Sequence, residues 1–152
     1  MEGFSIWHIL ILLVIVLIPG ALAAFLPIFI KPRGANRFGP PAQPGTFPSA
    51  FVTCVKKYAD FNGRGRRSEF WWYRLAVMLI LAAAAIVTRG SMLTDLVSLA
   101  FILPDLAAAA RRLHDINRSG WWILLSFTGF GVISLIVLLA WPSQRDDQAP
   151  IF

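Results

Sequence analysis

Charged residues gather along this chain so that four long apolar stretches stand at residues 4–30, 69–88, 96–110 and 121–141, holding only Glu69, Arg74 and Asp105 as charges among them. That spacing dictates the solvent. A helix needs roughly 20 apolar residues to cross a bilayer, and backbone polar groups in hydrocarbon are satisfied only inside helices or closed barrels. The chain is 57% apolar and 14% charged, against about 45–50% and about 25% for soluble domains. A soluble fold of 152 residues could not hide that much apolar surface. The expected class is an all-α membrane protein with four transmembrane helices and a short amphipathic interfacial helix.

The first stretch, residues 4–30, carries Pro19, Gly20 and Pro27, which kink or tilt a helix. Its Ala21-Leu22-Ala23 is also compatible with a signal-peptidase site. Against cleavage, Glu2 stands where a signal peptide carries a positive charge, and cleavage would place the arginine-rich segment outside. An uncleaved helix is expected over residues 1–30. Residues 31–49 are rich in proline and glycine and read as a cytoplasmic linker. Residues 50–61 are amphipathic: Phe51, Val52, Cys54, Val55, Tyr58, Ala59 and Phe61 share one face, with Thr53, Lys56, Lys57 and Asp60 opposite. They form the expected interfacial helix, which opens a core of residues 50–143 ahead of a polar tail, 144–152. Cys54 is the only cysteine, so no internal disulfide exists, and it reads as a small apolar filler.

Ser68 and Ser119 stand as N-cap candidates ahead of the second and fourth spans. The net charge of +6 would suggest nucleic acid in a soluble chain. Here the positive-inside rule accounts for it. With the N-terminus outside, residues 31–69 and 111–119 face the cytoplasm and hold eleven of the fourteen basic residues. Both termini then lie outside, and no nucleic-acid partner is implied.

Two segments echo each other. Arg66–Trp72 and Asn117–Trp122 each run from arginine through serine to a tryptophan pair and an apolar stretch. Trp71, Trp72, Trp121 and Trp122 suit the interfacial belt, and arginines suit the phosphate level. The full motifs, "FNGRGRRSEFWWYRL" and "LPDLAAAARRLHDINRSGWWILL", resemble those of the bacterial inner-membrane family called domain of unknown function 805, the YhaH-like proteins. The match lies at Phe61, Gly63, Arg64, Arg67, Glu69, Phe70, Trp71 and Trp72, then at Arg111 to Asp115 and Arg118 to Trp122. The resemblance implies an inner-membrane location and carries no assigned activity. Members end on a segment of the form Asn-Arg-Phe/Tyr-Gly-Pro. This tail lacks it, whereas "NRFGP" stands at residues 36–40, after an extra N-terminal span. Residues 36–40 are therefore expected on the same side as both arginine motifs. Asp105 also departs from the family, which more often has a small or apolar residue there.

An acid inside a span is a pairing or functional hypothesis by default. Arg74 and Asp105 lie at similar depth in neighbouring antiparallel spans and are expected to pair. His114 and Asp115 are adjacent in sequence, so they do not face each other on a helix. Motifs for nucleophilic catalysis, phosphate loops and convergent metal ligands are missing. No catalytic, metal or cofactor site is expected, and no enzymatic activity. Instead Arg64, Arg67, Glu69, Arg111, Arg112, His114, Asp115 and Arg118 read as a structural clasp between the two cytoplasmic motifs. Asp115 should pair with Arg64, Arg66 or Arg67, and Glu69 with Arg111 or Arg112. The expected role is an accessory or assembly subunit that binds another membrane protein and anionic lipid headgroups through its cytoplasmic Arg/Trp motifs. The alternative is a transport or channel protomer using Asp105 and Arg74.

Overall fold

The computed structural model describes residues 35–127 and 131–144, together with residues 6–8, 11 and 15. The first expected span falls mostly outside the described residues. The described residues include four α-helices and one 3-10 segment, and no strand.

Helix α1, Phe47–Lys56, begins three residues earlier than the amphipathic pattern suggests. Pro48 pre-sets the first turn, and the Ser49 hydroxyl accepts the Thr46 N–H at 2.8 Å. Its apolar side is divided between two environments. Ala50 and Cys54 are buried against the next helix, while Val52, Val55 and Tyr58 remain exposed. Helix α2, Arg67–Thr88, begins after an extended Arg66. Ser68 is therefore not its N-cap: the hydroxyl instead accepts the Gly45 N–H at 3.3 Å and ties the linker to the helix start. The helix ends on Arg89 in the left-handed region at φ 52°, with Gly90 following it.

Helix α3, Met92–Asp115, is longer at both ends than residues 96–110. Its charged C-terminal turns, read from sequence as a loop, stay helical because other elements supply partners for their side chains. It ends in a Schellman turn. Arg118 N–H bonds Leu113 O and Asn117 N–H bonds His114 O, both at 2.9 Å, with Asn117 at φ 58°. Pro104 lies inside α3 and leaves the Ala100 carbonyl without its helical donor. The Tyr58 hydroxyl donates to that carbonyl instead.

The expected single helix over Trp121–Trp141 takes a different form. It opens as a 3-10 segment, Gly120–Phe127, and α4 covers Gly131–Ala140. Ser119 does stand ahead of the 3-10 segment, its Oγ 3.4 Å from the Trp121 N–H. Among the described residues, only α2 and α3 are long and apolar enough to cross a membrane. Their outer faces expose large apolar side chains, among them Ile86, Val87, Leu99 and Met78. The largest fully buried side chains, by contrast, are Arg111 and Arg112. Apolar outside and charged inside at one end is the pattern of a lipid-facing bundle with a polar plug.

Candidate functional site: a buried arginine cluster

The C-terminal ends of α1, α3 and α4 meet at one end of the bundle. Each leaves carbonyls without helical donors, carrying the negative end of its dipole. Two arginines and an asparagine answer them. Arg111 Nη1 donates to Lys57 O at 3.2 Å and Asp60 O at 2.5 Å, just past the end of α1. Arg112 Nε donates to Leu139 O at 2.9 Å, and its Nη2 to Trp141 O, closing the end of α4. Asn36 Nδ2 donates to His114 O at 2.9 Å at the end of α3. Arg64 spans two separate chain segments, with Nη1 to Gly39 O at 3.3 Å and Nη2 to Gln144 O at 2.7 Å. The planar fork of arginine holds its donors in a fixed geometry that reaches two carbonyls at once.

Two carboxylates balance this charge. Asp115, fully buried, accepts Arg64 Nε at 3.1 Å on Oδ1 and Arg112 Nη1 at 2.9 Å on Oδ2. Glu69 Oε1 lies 3.7 Å from Arg111 Nη2. Of the expected clasp residues, the structure thus brings together Arg64, Glu69, Arg111, Arg112 and Asp115. His114 joins through Nδ1, 3.1 Å from Gly63 O. The two other expected members are placed differently. Arg67 begins α2 with its side chain exposed, and Arg118 lies over the Trp122 ring, 5.8 Å from its centroid. Burial pushes the Arg118 guanidinium below its ordinary pKa.

The linker contributes contacts that charge patterning does not reveal. Phe38 stacks flat on His114, centroids 3.8 Å apart and planes 4° from parallel. Asn117 Oδ1 accepts the Arg37 N–H at 3.4 Å. Residues 36–39 therefore lie against both arginine motifs. Cys54, read as an apolar filler, is flanked by Arg111 Nη2 at 3.5 Å and Glu69 Oε1 at 3.8 Å. Burial, with Glu69 adding to it, pushes its thiol up to about 11. The expected belt is uneven. Trp121 is largely exposed, Trp71 and Trp72 are partly so, and Trp122 packs against the core. Arg74 and Asp105 form an ion pair between α2 and α3. Among the described residues, no three His, Cys, Asp or Glu side chains gather as metal ligands.

Described residues that are helical and strandless, with two bilayer-length apolar helices among them and a charged plug at one end, define a class: a small helical membrane protein. More particularly, residues 58–149 match the model of the family described as "Protein of unknown function (DUF805)", and the chain belongs to that family. It is similar to "Inner membrane protein YhaI" of Escherichia coli, 39% identical over 94 residues, covering 59% of this chain and 78% of that one. It is also similar to "Inner membrane protein YhaH" of the same organism, 31% identical over 97 residues, covering 57% and 80%. No solved structure matches.

Proposed function

We propose that the chain is a non-enzymatic inner-membrane protein, crossing the bilayer four times with both termini outside. In this reading it is an accessory or assembly subunit that binds a second membrane protein. The observation that carries the reading is the exposure of the Arg74–Asp105 pair. These side chains are 45% and 25% exposed, on helices whose neighbouring surface is apolar. Arg74 lies seven residues into α2, roughly 10 Å from its start. Charge open to hydrocarbon at that depth is costly, and a polar patch on a partner helix removes the cost.

The cluster behind the pair divides the basic residues into two groups. Arg64, Arg111 and Arg112 are buried and occupied by carbonyls and carboxylates. Lys56, Lys57 and Arg67 are exposed. These exposed residues are the ones we assign to anionic headgroups, at about 1 kcal/mol each near an anionic surface.

A photoreactive residue at Met78 tests the partner reading. Met78 is 60% exposed and one turn beyond Arg74 on the same face of α2. Crosslinking in native membranes should yield one discrete protein adduct, weakened by the Arg74→Ala, Asp105→Ala double substitution. Lipid adducts alone would refute it. The same charged pair would serve a transport or channel protomer, and ion flux into proteoliposomes that Asp105→Asn abolishes would favour that alternative.

A further inference from the structure

A cavity of about 400 Å³ lies between α3, the 3-10 segment and the loop at Phe61 and Asn62. Its volume is within the roughly 300–1,000 Å³ range of small-ligand sites. The cavity is chemically lopsided. Toward the arginine cluster it is lined by His114, Ser119 and Asn62; further along α3 it is lined by Leu106, Ile123 and Leu124. Leu106 lies eight residues from His114, about 12 Å along the helix. Among the lining residues there is no lysine, arginine or carboxylate. Trp121 at 78% exposure and Leu124 at 52% stand at the rim, so the apolar end opens sideways onto the lipid-facing surface.

The polar end has a fixed hydrogen-bonding character. A carbonyl can only accept, so the contact between His114 Nδ1 and Gly63 O places the neutral ring's proton on Nδ1. Nε2 is then a bare acceptor. The Phe38 stack holds the ring in that orientation. Nε2 faces Gly120, where an added Cβ would come within 3.5 Å of it. Ser119 Oγ receives the Trp121 N–H, which leaves its own O–H able to donate. The site therefore offers one acceptor and one donor side by side. A hydroxyl, which donates and accepts, satisfies both. A carboxylate or phosphate would oppose the Nε2 lone pair, with no lining cation to hold it.

We propose that this cavity binds one membrane lipid ending in an uncharged hydroxyl, its head between His114 and Ser119 and its chain along Leu106 and Leu124. The proposal is independent of the partner reading, because the cavity is formed by α3 and the 3-10 segment and does not include Arg74 or Asp105.

The test uses the purified full chain in mild detergent, with bound lipid counted by native mass spectrometry. The probes are oleyl alcohol, 1-oleoylglycerol, methyl oleate and oleate. One of the two hydroxyl-bearing probes should give a saturable one-to-one adduct, and which of them binds tighter assigns a simple alcohol or a glyceryl head. Methyl oleate, with the same chain but no hydroxyl, should bind roughly 3- to 10-fold more weakly, the worth of one hydrogen bond. Ser119→Ala should cost a similar factor. Ala110→Leu, which fills the cavity beside His114, should abolish the adduct. If that variant does not fold, Leu124→Trp at the exposed rim takes its place. Equal binding of methyl oleate and the alcohols, or an adduct unchanged in the filled or rim-blocked variant, overturns the proposal.

Discussion

Replacing Asp115 by alanine is the most severe single change the fold offers at low steric cost. The carboxylate is fully buried between two guanidiniums that are themselves buried, at 3.1 Å and 2.9 Å. Removing one partner of a buried ion pair costs about 3–5 kcal/mol, because the remaining charge is left uncompensated. Arg64 and Arg112 keep their carbonyl partners at Gly39, Gln144, Leu139 and Trp141, so the lower end, about 3 kcal/mol, is expected. That is a large share of a domain's total stability of about 5–15 kcal/mol. Asp115→Asn keeps one acceptor and should cost about half as much. The assay is a titration from mild detergent into denaturing detergent, read by far-ultraviolet circular dichroism, on Asp115→Ala, Arg64→Ala and the double variant. The two single costs should fail to add by about 1–3 kcal/mol, since the residues share one network. A loss below about 0.5 kcal/mol for Asp115→Ala, or strict additivity, would refute the electrostatic reading of the cluster.

Three further outcomes follow from single contacts. The Cys54 thiol, raised from 9.0 to about 11, should alkylate roughly a hundredfold more slowly than an exposed thiol between neutral pH and 9. Because the folded value is the higher one, its contribution to stability is complete below about 9 and is lost as pH rises toward 11; a fast reaction at neutral pH in the folded protein would contradict this. A Cβ added at Gly120 would lie 3.0 Å from the Ala110 Cβ, so Gly120→Ala should destabilise by about 1–3 kcal/mol in the same titration, and Ala110→Gly should restore part of it. Tyr58→Phe removes the donor that replaces the missing Pro104 N–H at Ala100. It should cost about 1–3 kcal/mol, and much less in a Pro104→Ala background, where the helix supplies its own donor.

Much of this arrangement is legible in the sequence because it rests on periodicity and charge. The apolar runs at residues 69–88 and 96–110 mark α2 and α3, and counting along them puts Arg74 beside Asp105. The carboxylates Glu69 and Asp115, one in each arginine motif, point to contact between the motifs. What is not legible concerns backbone carbonyls, which have no signature in sequence. Nothing in "RRLHD" says that Arg111 closes the end of α1 while Arg112 closes the end of α4. The same five residues look like a loop because they are charged, yet they stay helical because the other helices bury them. Residues 121–127 form a 3-10 segment where hydropathy alone indicates a regular helix. Asn36 and Phe38 lie in a stretch without periodicity, and only the isolated "NRFGP" marks them.

In the proposed function, the exposed Arg74–Asp105 face is covered in the membrane by another protein. The most direct measurement is the mass of the intact assembly, released from native membrane in mild detergent and weighed by native mass spectrometry. A second polypeptide should be present at fixed stoichiometry and be lost when Arg74 and Asp105 are both replaced by alanine. A chain that emerges alone, or a complex indifferent to that double substitution, would contradict it.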